Sequence, residues 1–356
     1  MRTFPCTGCG ADLVFSVGLQ ALACPYCGTT RDLDLRHDAP IPEQDLLSEL
    51  ARLAELRDGA SERAPVLTAV SCDSCGAELR LGPHAQADRC AYCDAVLVGT
   101  PSAGDTAPID GILPFRIQAE AAHEALEAWQ RALWFAPNAF VRARMPDALQ
   151  RIYLPYWCFD ALTFTRFTGE RGTAHRTTVK VNGRRTTHTR WSWKSVSGSF
   201  QHVFDDHPVP ADATLPGEVL RALAPWPTER CVPFEAGLLA GAVTKACEIE
   251  LPEAFKIGKR EMESRLGDRA RQQIGGDDQR VHRLETRWDA LAYKHLLLPV
   301  WVVPLRWRER VYWLVVNAET GEVQGERPIS KWKVGLAIAA ALLAVLGVAL
   351  LKESGL

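Results

Sequence analysis

Eight cysteines fall into two quartets, Cys6, Cys9, Cys24 and Cys27, then Cys72, Cys75, Cys90 and Cys93. Each quartet reads C-x2-C, fourteen residues, C-x2-C, and the second repeats the first at a constant offset of 66. The unit is an internal duplication. Two short knuckles that each present a pair of thiolates, folded together by the hairpin between them, suit one tetrahedral Zn²⁺. Glycine follows Cys9, Cys27 and Cys75, where a positive φ turns backbone amides toward the sulfurs at no steric cost. Asp94 takes that place in the fourth knuckle and tolerates the geometry better than most residues. The expectation is two structural zinc ions in two zinc ribbons, each ion held by four cysteines. A disulfide framework and rubredoxin-type iron would use the same residues; a solitary redox centre is not expected in duplicate.

Cys158, Cys231 and Cys247 are scattered and read as small buried apolar side chains. The nine histidines form no H-E-x-x-H, there is no nucleophile elbow, and no glycine-rich phosphate loop precedes a helix, so the chain reads as a non-enzyme. One polar cluster stands out, "HVFDDH", with His202, Asp205, Asp206 and His207. On a regular strand His202 and Asp206 share one face while Asp205 and His207 share the other, so the four do not converge on a metal. The reading is a polar strand end.

At 356 residues the chain has room for two or three domains. Thiolate zinc sites belong in a reducing compartment, and the N-terminus enters the first quartet with no apolar leader. The formal net charge of −2 gives the whole chain no general attraction to nucleic acid or anionic surfaces. Zinc ribbon 1 is expected over 1–38 and zinc ribbon 2 over 68–99. Between them, Leu46, Leu50 and Leu53 recur at helical spacing in a linker helix over 42–60. A flexible linker rich in Gly, Pro, Ser and Thr follows at 100–111. The region 112–330 reads as a β-rich α+β domain. Helices are expected near 117–135 and 252–273, and Asn182-Gly183 between two Thr/Val/Trp-rich runs marks a tight hairpin. A second strand, turn and strand runs through Glu319 to Gly321. Leu154/Pro155/Trp157 recurs as Leu298/Pro299/Trp301, which implies two related β-units carrying a duplicated L-P-x-W.

The hairpin region 163–194 holds Arg166, Arg171, Arg176, Lys180, Arg184, Arg185, Arg190 and Lys194 against Glu170 alone, a local charge of +7, with Trp191 and Trp193 interleaved. Three readings stand open: a solvated hairpin whose charges discourage edge pairing, anionic lipid bound through Arg184, Arg185 and Arg190, and nucleic acid. The ribbons argue against nucleic acid, because residues 71–100 carry Arg80 and Arg89 against Asp73, Glu78, Asp88 and Asp94. Finally, residues 334–351 contain no charge, Pro or Asn and would span about 27 Å as a helix, enough for a transmembrane helix. Trp332 edges that run, and Arg327, Lys331 and Lys333 precede it, so the expected placement is single-pass in the cell inner membrane with the N-terminal bulk cytoplasmic.

Taken together, the paired C-x2-C ribbons, the helix before "LPYW", the "LLLPVW" strand, the "VNAETGEVQGERP" hairpin and the terminal apolar run resemble a family of bacterial membrane-associated double zinc-ribbon proteins. Such proteins are often labelled as primosomal-helicase-like. The residues do not support that label, since "FKIGKRE" around Gly258 and Lys259 lacks the first glycine and the hydroxyl residue of a P-loop. The resemblance implies a multidomain α+β, tail-anchored membrane adaptor whose tandem ribbons dock protein. It implies phage-shock-type or band-7-like membrane proteins as partners.

Overall fold

The computed structural model describes residues 4–35, 39–59, 68–71, 78–81, 87–89, 96–98, 108–146, 149–181, 184–213, 215–245 and 247–353. Ribbon 1 is a three-stranded antiparallel sheet of β1 (Val14–Ser16), β2 (Ala21–Ala23) and β3 (Thr30–Arg31), and helix α1 (Leu46–Gly59) follows it. Short strands at Thr68–Ser71, Glu78–Leu81, Ala87–Arg89 and Val96–Val98 lie within 68–99, where a second ribbon is expected. Two series then run in the same order: short strand, helix, long strand, return strand. The first is β4 (Gly111–Ile112), α2 (Ala119–Arg131), β5 (Gln150–Val181) and β6 (Arg184–Pro210). The second is β7 (Val243–Thr244), α3 (Leu251–Ile274), β8 (Asp278–Trp307) and β9 (Arg310–Asn317), closed by β10 (Val323–Gly325) and helix α4 (Lys331–Glu353).

The pairing register explains the repeated L-P-x-W. β5 and β8 are antiparallel neighbours with Leu154 opposite Leu298, so the two motifs cross at one point about a local two-fold axis. Every nearby pairing obeys that axis. Gly111 of β4 lies beside Leu296 in parallel, as Val243 of β7 lies beside Ile152. Tyr156 faces Pro210 at the end of β6, as Val300 faces Asn317 at the end of β9. The Ala211 amide donates to Pro155 O at 2.9 Å, and the Ala318 amide to Pro299 O at 3.0 Å. The tryptophans do matching jobs: Trp157 Nε1 donates to Ile249 O and Trp301 Nε1 to Ile117 O, both at 2.8 Å. Each carbonyl sits two residues ahead of its helix, α3 or α2, so the indole fastens the helix start to the strand. Ala87 pairs onto Thr244, the place that Val232 takes on Ile112 in the other half.

Near this axis the sheet is covered on both sides, which is why residues 152–159 and 296–303 read as continuous apolar runs rather than alternating ones. Tyr153, Leu297 and Trp301 face one core; Ile152, Leu154, Tyr156 and Leu298 face another. Beyond Asp160 the three long strands continue as a ribbon covered on one face. Ala161, Thr163, Thr165 and Phe167 point inward while their neighbours turn outward. α3 supplies the cover with a single row of buried residues, Leu251, Ala254, Gly258, Met262, Leu266, Ala270 and Ile274, spaced by three and then fours. Gly258 is required where α3 comes closest. A Cβ there would lie 3.0 Å from both Phe159 and Val209.

One element of the expected fold class is corrected. The chain is β-rich, and among the described residues no helix is long and apolar enough to cross a membrane. The transmembrane helix at 334–351, the membrane as a partner through it, and the single-pass inner-membrane placement with its cytoplasmic bulk therefore fall together. The apolar run does form α4, but its first turns are engaged by the domain. The Ser330 amide donates to Phe135 O at 2.8 Å, and Lys333 Nζ donates to Trp134 O and Ala136 O at 3.0 and 2.8 Å. Val334, Ala337, Ile338 and Ala341 line an apolar groove with Leu133 and Phe135, while Leu336, Leu342 and Leu343 remain exposed.

Candidate metal centre

Ribbon 1 brings its four cysteines to one point. The four Sγ atoms all lie within 4.8 Å of one another, with Cys6 to Cys27 and Cys9 to Cys24 each at 3.4 Å. A tetrahedron with metal–sulfur arms of about 2.3 Å has edges of about 3.8 Å, so the set fits one thiophilic ion, whereas a disulfide needs about 2.05 Å between sulfurs. Local backbone chemistry builds each knuckle. Gly10 and Gly28 adopt φ of 76° and 75°, letting their amides return to Cys6 O and Cys24 O at 2.9 and 3.1 Å. The Gly8 amide donates to Cys6 Sγ at 3.3 Å, and Thr29 Oγ1 lies 3.2 Å from Cys27 Sγ. A Cβ on Gly8 would press on Thr29 Oγ1 at 2.8 Å, the hydroxyl that faces Cys27 Sγ. The thiols are electrostatically divided. The Thr29 hydroxyl and amide hold Cys27 down to about 6; at Cys9 the Ala11 amide favours the thiolate, yet Cys24, Cys27 and burial push the thiol up to about 12. Four thiolates so close need a cation to coexist. Cys72, Cys75, Cys90 and Cys93 lie outside the described residues.

The ribbon is braced against the duplicated scaffold rather than tethered beside it. The Phe15 amide donates to Ala240 O at 3.0 Å, Arg151 Nη1 to Phe15 O at 2.8 Å, and Gln20 Nε2 to Phe115 O at 2.8 Å. Leu13, Phe15 and Leu22 are buried in one core with Phe115, Tyr153 and Trp301, and each large side chain withdrawn from water there contributes about 1.5–3 kcal/mol. Arg151 also lies over the rings of Phe115 and Phe15, at 5.0 and 5.7 Å. The knuckle end faces solvent, with Cys9 and Cys27 exposed and Tyr26 82% exposed. Sequence reasoning missed this docking. Its signal was the apolar "LVF" and "ALA" in a unit too small to bury them alone.

The "HVFDDH" cluster is split by a β-bulge opposite Asp160, where Asp206 takes a φ of 49°. Asp206 turns inward and pairs with Lys294 Nζ at 2.7 Å, while its amide donates to Asp160 Oδ1 at 2.6 Å. Asp160 Oδ2 and Glu43 Oε1 complete the surround of Lys294 at 3.8 and 3.5 Å. Burial pulls Lys294 down, but Asp206, Asp160 and Glu43 outweigh it and hold the ammonium well above its ordinary value; burial raises Asp160 to about 6. His207 turns the other way, with Nε2 at 3.0 Å from Glu261, and Asp205 stays exposed. A strand-face argument could not place Asp206, because the bulge breaks the alternation it assumes. In the basic hairpin, Trp191 and Trp193 stack at 5.9 Å and Arg280 lies over Trp193 at 3.7 Å. Arg190 is exposed, whereas the side chains of Arg184 and Arg185 lie outside the described residues. Among the described residues no helix is long and apolar enough to cross a membrane and so hold Arg184, Arg185 and Arg190 at a lipid surface, and the anionic-lipid reading falls with the expected anchor.

No family model matches this chain, and no solved structure matches it. It is 23% identical over 338 residues to the uncharacterized protein YdjG of Bacillus subtilis (strain 168), a likeness that covers 93% of this chain and 92% of that protein.

Proposed function

We propose that the protein is a non-enzymatic adaptor in which structural Zn²⁺, bound by Cys6, Cys9, Cys24 and Cys27, holds a zinc ribbon as a docking surface for another protein, with the second quartet forming a second zinc ribbon of the same kind. Zinc on four thiolates would cross-link two knuckles too small to fold on their own core. The observation that carries the reading is the ribbon's polarity. Its apolar side is spent on the scaffold, while its knuckle end presents Tyr26 to solvent. The buried charges around Lys294 are matched to one another as a structural brace. A photo-cross-linker placed at Tyr26 in cells tests the proposal against the same group at Arg269. Adducts of discrete mass at position 26, lost on Cys24→Ser, are expected; equal labelling at both positions would refute it.

A further inference from the structure

The groove beside α4 is a cavity built by two elements and not only a bare helix face. Its volume is about 590 Å³, within the roughly 300–1,000 Å³ of sites that take a small molecule. Alanines make the room. Ala132 and Ala136 line it from the segment after α2, and Ala337 and Ala341 from one face of α4, while Phe135 and Ile338 supply larger apolar surfaces. Its shape is set before any ligand arrives, because the Ser330 amide and Lys333 Nζ bridge the start of α4 to the carbonyls of Phe135, Trp134 and Ala136. Those carbonyls are thereby satisfied. An extended peptide would bring polar backbone against carbonyls already occupied, whereas a hydrocarbon chain brings no polar group that needs a partner.

One charge selects the occupant. Among the residues that line the groove Arg327 alone is charged, and it is exposed. No carboxylate among the described residues pairs with it; the acid next to it in sequence, Glu326, is held by Arg310 Nη2 at 2.6 Å. The groove therefore offers an unmatched cation at the rim of an apolar trough, the complement of an anion on a hydrocarbon chain. The trough also has length. The face of α4 that presents Val334, Ala337 and Ala341 continues with the exposed Val345 and Val348, so a chain starting at Arg327 meets apolar surface over about 20 Å of helix. We infer that this groove binds a long-chain fatty acid, with its carboxylate at Arg327 and its hydrocarbon chain laid along Ala337, Ala341 and Val345.

A palmitate analogue carrying a diazirine on its chain provides the test, photolysed with the full chain in a nonionic detergent at fixed micelle concentration. Labelling is expected to saturate, to map to residues 132–136 and 327–341, and to be displaced by palmitate. Arg327→Glu, a change at an exposed side chain, should weaken displacement by palmitate about fivefold and leave displacement by hexadecanol, the same chain without the anion, unchanged. Ala337→Trp fills the groove and should abolish the label. Leu343→Trp sets the same ring on the far side of α4 and should not. Label spread evenly along α4, or indifferent to both Arg327→Glu and Ala337→Trp, would overturn the inference, because the apolar surface would then be taking up detergent or bilayer rather than one chain. So would the absence of saturable labelling, equal displacement by hexadecanol and palmitate in the wild type, or stronger displacement by phosphatidylglycerol, which would assign the groove to a phospholipid.

Discussion

Replacing Trp301 by Phe should reveal how the duplicated unit is fastened. The indole Nε1 donates to Ile117 O at 2.8 Å just ahead of α2, and the ring is 4% exposed against Phe115 at 5.3 Å between centroids. Phe keeps most of the apolar contact but strands a buried carbonyl, which costs about 1–3 kcal/mol, and the smaller ring leaves a gap worth about 1 kcal/mol more. The expected loss is about 2–4 kcal/mol. Trp157→Phe makes the equivalent change at Ile249 O, but that carbonyl also accepts from Cys247 Sγ at 3.4 Å, so its loss should fall at the lower end. Trp193→Phe is the control: that ring lies outside the buried cores, and its Arg280 contact is worth about 1 kcal/mol or less. Guanidinium denaturation followed by far-UV circular dichroism would read these as shifts in midpoint at constant slope. If Trp301→Phe costs no more than Trp193→Phe, the indole bonds do not fasten the helices and the account of L-P-x-W fails.

Three further outcomes follow from particular contacts. Burial holds Asp160 at about 6 against an ordinary 3.8, so the folded state binds the extra proton, and stability that is full below 3.8 is lost as pH rises through about 6. Asp160→Asn keeps the acceptor for the Asp206 amide and should flatten that slope, by about 2 kcal/mol between pH 4 and 7 in denaturation midpoints; an unchanged slope would contradict it. Gly169→Ala should destabilise by more than about 2 kcal/mol in the same denaturation, because its Cβ would collide with the Arg280 carbonyl at the bulge and press on Ile274 at 2.7 Å. Cys24→Ser should release one metal ion and raise hydrogen exchange at the Phe15 amide, now bonded to Ala240 O, while leaving α3 protected; unchanged protection of Phe15 would show that the metal does not hold the docked ribbon.

How far the sequence discloses this molecule depends on the range of the interaction. The knuckles were legible because cysteine and glycine spacing encodes a local geometry, and Gly10 and Gly28 occupy the positive φ that this geometry needs. The helix α3 was legible as well: it is expected over 252–273 and runs from Leu251 to Ile274, but which of its residues the sheet buries is shown only by the packing. The two L-P-x-W motifs announced a repeat but not a register: only strand pairing shows Leu154 opposite Leu298, and only then do the two indoles find their equivalent carbonyls. The bulge at Asp206 was invisible for the same reason, being a mismatch between strands rather than a property of either. The terminal run misled because hydropathy reports what a segment could be buried in, not what lies next to it. Here Trp134 and Phe135 lie beside its first turns.

The most direct measurement is X-ray absorption at the zinc edge on chain in which Cys72, Cys75, Cys90 and Cys93 are serine, so that only ribbon 1 reports. The account predicts one zinc per chain with a first shell of four sulfurs at about 2.3 Å. A first shell with oxygen or nitrogen, fewer than four sulfurs, or a chain that purifies with iron or without metal would contradict it.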